Sequence, residues 1–179
     1  VRPSINPNRP KATAGEMIEY ALALQREGAH HESLLLLDHP EVAKDPEALL
    51  AKAFSHIFHW NYEQAEPLLE SYVAQKNPGE YESLIARVNL LACQSFLSRP
   101  HFVNAFSDLK RDLQNDEYRL LLGLVLEIGA QYMIQHHHWE EGEKALVEAS
   151  ALLKSEGGMH LMLVDKWRSI ADALPSMSN

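Results

Sequence analysis

Four times along this chain a ring residue stands three places before a small residue and seven places before a leucine. The sets are His30/Ser33/Leu37, Tyr62/Ala65/Leu69, Phe102/Ala105/Leu109 and Trp139/Gly142/Leu146. Twelve residues ahead of each small residue stands another: Ala21, Ala53, Cys93 and Ala130. Side chains spaced by three, four and seven share one face of a helix. Each set therefore marks a helix, and the small residue twelve places earlier marks a preceding helix packed closely against it. The anchors Ser33, Ala65, Ala105 and Gly142 lie 32, 40 and 37 residues apart, around the period of helical-hairpin arrays. The expected fold is all-α, with about four antiparallel hairpins.

Start and stop signals fall between the anchors. Thr13 is placed to cap the first helix, and Gly28 to end it. Asp45-Pro46-Glu47 is an N-cap followed by proline at the first helical position. Lys76-Asn77-Pro78-Gly79 is a turn, and Pro100 breaks the third hairpin. Pro67 falls inside the helix that begins at Tyr62, where it should remove a backbone hydrogen bond and bend the helix. A last helix is expected from about Met159 to Leu174, after Gly157-Gly158. It is either a cap for the stack or the first half of a truncated fifth repeat. Residues 1–13, with Pro3, Pro7 and Pro10 among Arg2, Arg9 and Lys11, read as a flexible basic arm or linker, leaving 14–179 as the repeat domain.

These columns resemble the tetratricopeptide repeat, in which small residues sit where helix A meets helix B and an aromatic opens helix B. The early helix A position, where that family favours tryptophan, holds Met17, Leu49, Val88 and Leu126 here. The resemblance implies a right-handed α-α superhelix, a solenoid with a C-terminal capping helix. It also implies a concave wall of helix A residues: Ile18, Leu22, Gln25 and Arg26, then Glu47, Phe54 and Phe58, then Arg87 and Gln94, then Glu127, Gln131 and Gln135. Phe54 and Phe58 stand four apart and point from one face; the same spacing also suits two core rings. The basic clamp with which some members grip a terminal carboxylate is absent, because Ile18, Leu22 and Ala51 occupy its early positions. The implied function is a protein-protein interaction scaffold that holds a peptide, a helix or a partner domain on its concave face. The alternative is a ligand-sensing helical-repeat module of a larger bacterial regulatory protein.

Composition narrows the partners. The chain carries a net charge of −9, and beyond the basic arm 13 basic residues face 25 acidic ones. An acidic body repels phosphate backbones and anionic membrane surfaces, so no nucleic acid or membrane is expected as a direct partner. The longest apolar run, Leu120 to Leu126, is too short to span a bilayer. One cysteine, Cys93, can form no internal disulfide, which fits a reducing, cytoplasmic setting. His136-His137-His138 diverge by about 100° each on a helix and read as a solvated turn rather than a metal site. Gly157-Gly158 is set to follow a helix rather than open one, and no serine sits in a nucleophile elbow. No enzyme, cofactor or metal is expected.

Overall fold

The computed structural model describes residues 12–75, 80–154 and 164–170. Among these the fold is helical: α1 (Ala14–Arg26), α2 (His30–Leu37), α3 (Pro46–Phe58), α4 (Tyr62–Val73), α5 (Tyr81–Phe96), α6 (Phe102–Asp112), α7 (Arg119–Gln135) and α8 (Trp139–Leu153). A 3₁₀ turn, Asp116–Tyr118, precedes α7, so the fourth helix A starts two residues later than its expected Glu117. Residues 164–170 are helical, while the rest of the expected last helix, Gly157-Gly158, residues 1–11 of the arm and the turn at 76–79 lie outside the described residues.

Local chemistry accounts for the helix starts. The Thr13 hydroxyl accepts from the Glu16 amide at 3.3 Å, while the Glu16 carboxylate accepts from the Thr13 amide at 2.7 Å, a reciprocal box that satisfies two orphan donors. Asp45 Oδ1 accepts from the Glu47 amide at 2.9 Å, with Pro46 at the first helical position. The second helix of each hairpin opens on the ring residue of its set: His30, Tyr62, Phe102 and Trp139. Helix α4 runs from Tyr62 to Val73 through Pro67 without a break, although proline supplies no donor to the carbonyl four residues earlier.

The four hairpin turns share one backbone motif. The amides of Ala29, Asn61, Arg99 and His138 donate to the carbonyls of Leu24, His56, Gln94 and Met133, at 2.8, 2.8, 2.9 and 2.8 Å. The residue before each, Gly28, Trp60, Ser98 or His137, is left-handed, with φ of 80°, 61°, 50° and 66°, and donates to the carbonyl three residues back. This is the Schellman ending, which satisfies the last carbonyls of a helix and reverses the chain. Glycine takes that conformation freely, but the other three residues work against a Cβ clash.

Packing follows the chain order. Each helix pairs with its hairpin partner, and further contacts join α2 to α3, α4 to α5 and α6 to α7, with α1 against α3 and α5 against α7. The core accordingly forms three successive blocks: Ile18, Ala21, Leu37, Val42 and Ala48; then Ala53, Ala65, Leu69, Tyr72 and Cys93; then a larger group from Leu84 through Leu126 and Leu146 to Val164. The small anchors Ala21, Ser33, Ala53, Ala65, Cys93 and Ala130 are fully buried. The fourth pair touches as its spacing demands: a Cβ on Gly142 would stand 3.3 Å from the Ala130 carbonyl oxygen and 2.8 Å from Ile134 Cγ1. Each large apolar side chain in these blocks contributes about 1.5–3 kcal/mol by leaving water.

Candidate functional site

A cavity of about 520 Å³ opens between α5 and α7. Val88, Asn89, Ala92 and Phe96 line it from α5, and Leu124, Glu127, Ile128 and Gln131 from α7. Each group recurs at spacings of three, four and seven, so one face of each helix looks into the cleft. Trp60 and Tyr62 enter from the α3–α4 turn, and Lys166 and Trp167 from the C-terminal segment. Tyr62 and Phe96 stack with centroids 4.4 Å apart and planes within 6°, and Trp60 meets both edge-on at 6.2 and 6.3 Å. Trp60 is nonetheless 72% exposed and Phe96 44%. The left-handed backbone of the turn holds the indole out at the cleft.

The same cleft contains Glu127, which is only 7% exposed. No donor or cation among the described residues bonds to its carboxylate. Loss of hydration disfavours its charged form and pushes its pKa up to about 7. The other titratable groups lining the cleft are Tyr62, whose phenol is pushed up by burial and by nearby Cys93, and Lys166, which is exposed and forms no ion pair with Glu127. Cys93 itself is held as the thiol, its pKa pushed up to about 12 by burial and by the charge of Glu66. A thiol so held is no nucleophile at neutral pH. Glu66 is engaged by Arg99, whose Nε and Nη2 donate to its two oxygens at 2.6–3.1 Å.

The twelve wall residues expected from the repeat are distributed over several places. Glu127 and Gln131 line the cleft, whereas Gln135 is exposed beyond it. Leu22, Glu47 and Phe54 line a separate hollow of about 350 Å³ with Leu50, Ala51, Tyr72 and Glu82. Ile18 is 2% exposed and belongs to the core, because it packs with Ala21 and Leu37. Gln25 lies between helices, its Nε2 donating to the Ala51 carbonyl at 3.0 Å and to Ser55 Oγ at 2.7 Å. Arg26 is exposed. Phe58 is 65% exposed and stacks on His30 at 4.2 Å, away from the hollow that holds Phe54.

Arg87 and Gln94 lie in a small hollow of about 190 Å³ with Val73, Ala105, Asp108 and Leu109, on the side of α5 that faces α4 and α6. Arg87 pairs with Asp112 at 2.6 Å, and Gln94 is 5% exposed. The register of the third hairpin explains the absence of Gln94 from the cleft. The left-handed turn residue follows the small anchor by seven places at Gly28, Trp60 and His137, but Ser98 follows Cys93 by five. Counting back seven from Ser98 puts Leu91 at the anchor position and shifts Arg87 and Gln94 to Ile85 and Ala92. Ala92 lines the cleft, with Val88 and Phe96 one turn to either side, whereas Ile85 does not border it. A two-residue slip on a helix turns a side chain by about 200°, enough to exchange one face for the other. The missed residues left one signal in the sequence, aromatic rings on both sides of the Asn61 turn.

The triple histidine divides among neighbours: His136 leans on Tyr132 at 4.1 Å and His137 meets Trp139 edge-on at 5.4 Å. His136 and His138 border a hollow of about 310 Å³ with Phe102, Phe106 and Glu141. Among the described residues no three His, Cys, Asp or Glu side chains are grouped to hold a metal ion, and no helix is long and apolar enough to cross a membrane. No protein-family model, curated protein or solved structure matches the chain.

Proposed function

We propose that this chain is a right-handed α-α superhelical scaffold of the tetratricopeptide type, working in the cytoplasm, that holds a partner polypeptide in the cleft between α5 and α7. The observation that carries this reading is the group of Trp60, Tyr62 and Phe96 around a cavity of about 520 Å³, with Trp60 mostly exposed. Large rings left in water at a concave site are the side chains that dominate binding once a partner covers them. The shared turn motif and neighbour-to-neighbour packing support the repeat architecture. Glu127 and Gln131 of α7 meet Ala92 of α5 at the cleft once the third register is reset from its turn. The reading includes no catalytic step, and the net charge of −9 argues against nucleic acid and anionic membranes as direct partners.

A second reading, a ligand-sensing module of a regulatory protein, draws on one feature of the same cleft. Its volume falls within the range of small-molecule sites, and Glu127 and Gln131 give it polar groups among apolar walls. One experiment separates the two. Native lysate is passed over wild type and over Trp60→Ala, and the Trp60-dependent eluate is resolved into proteins and metabolites by mass spectrometry. Retained polypeptides support the scaffold; a retained metabolite with no polypeptide supports the sensor.

A further inference from the structure

We infer that the polypeptide segment seated in the α5–α7 cleft presents a lysine or arginine side chain, whose charge is met by Glu127 while its aliphatic stem lies along the aromatic wall. This rests on the scaffold reading above and names the chemistry of the partner. Glu127 is 7% exposed, lines the cavity, and has no hydrogen-bond or ion-pair partner among the described residues, its oxygens keeping a small opening to the cleft. A buried carboxylate without a partner is the costly half of an ion pair. A cation delivered from outside supplies the other half.

The surroundings favour such a group over a neutral one. Trp60, Tyr62, Phe96 and Trp167 line the same cavity, and aromatic faces attract ammonium and guanidinium groups as well as packing on methylene stems. The acidic body attracts positive charge at long range. Lys166, which also lines the cleft, is exposed and leaves the carboxylate unclaimed. Its charge opposes an incoming cation, so neutralising it should tighten binding.

The test is display of a random dodecapeptide library on wild type slightly above neutral pH, with counter-selection on Trp60→Ala. Recovered peptides are then resynthesised with each basic residue replaced by norleucine. The expected result is a basic residue in the recovered set, with the norleucine replacement and Glu127→Gln each weakening Kd by about tenfold or more, and Lys166→Gln tightening it. Glu127→Gln keeps the side-chain shape, and its circular dichroism melt confirms folding. Recovered peptides that lack a basic residue, or that bind Glu127→Gln as tightly as wild type, overturn the inference and leave the scaffold reading standing. Recovery of no Trp60-dependent peptide removes both.

Discussion

The ring of Phe106 in α6 fills the space that a side chain on Gly129 of α7 would take, for a Cβ there would stand 2.3 Å from Cε2 and 2.7 Å from Cζ. Phe106 in turn lies near Phe102, which stacks on Tyr132 of α7 at 4.0 Å. The two helices are thus set at a distance that the absence of one methyl group permits.

Gly129→Ala should therefore destabilise the fold by about 1–3 kcal/mol through overpacking, despite the roughly 1 kcal/mol that alanine gains over glycine in a helix. Urea unfolding would show it as a lower midpoint with unchanged slope. A second change, Phe106→Leu, should restore part of the loss in the Gly129→Ala background and destabilise the wild type.

Glu127 ties stability to pH with a definite sign. Its folded pKa is raised from 4.5 to about 7, so the folded protein holds a proton that the unfolded chain has lost. Stability from this group is fully present below about pH 4.5 and declines as pH rises toward and through 7, by an amount on the order of 3 kcal/mol. Glu127→Gln has no such proton to lose. The difference in unfolding free energy between variant and wild type should widen in the variant's favour from pH 5 to pH 8, and parallel curves would contradict the assignment.

Three of the four hairpin turns carry a left-handed residue that is not glycine. Ser98→Gly and His137→Gly should each stabilise the protein by about 0.5–1 kcal/mol, read as a rise in melting temperature. Gly28→Ala should lower stability by a similar amount, although open space surrounds its missing Cβ, because the cost lies in the backbone alone.

The binding surface should respond separately from the fold. Trp60→Ala is expected to cost about 2 kcal/mol or more in partner affinity with the melting temperature little changed, since the indole is mostly exposed in the free protein. Phe58→Ala should leave binding at the cleft unaffected. Isothermal titration with a recovered peptide, beside thermal melts, distinguishes the two effects.

The helices were legible in the sequence because their signals are local. Thr13 with Glu16, Asp45 with Pro46, and the ring that opens each second helix all act within one turn of the chain. The small anchors of the first, second and fourth hairpins were legible too, since close helix contact excludes bulk at a fixed spacing, whereas Ala105 of the third is only half-buried. The third wall was misplaced because Cys93 and Leu91 are both buried and both stand near the expected distance from Phe102; side-chain size alone does not separate them. What separates them is the left-handed conformation of Ser98, a backbone property that serine does not announce as glycine does. Ile18 belongs to the core because it packs in one cluster with Leu37, Val42 and Ala48 from the elements that follow.

The order in which the helices touch has a mechanical consequence. Contacts link each helix to those close to it along the chain, and the core is divided into three blocks in the same sequence. Tension applied between α1 and α8 is therefore carried by the interfaces in series, with no staple between α1 and α8 among the described residues to share it. Under a steady pull the array should yield one hairpin at a time, beginning at the smaller N-terminal block, and its force trace should be a staircase of short extensions rather than a single rupture.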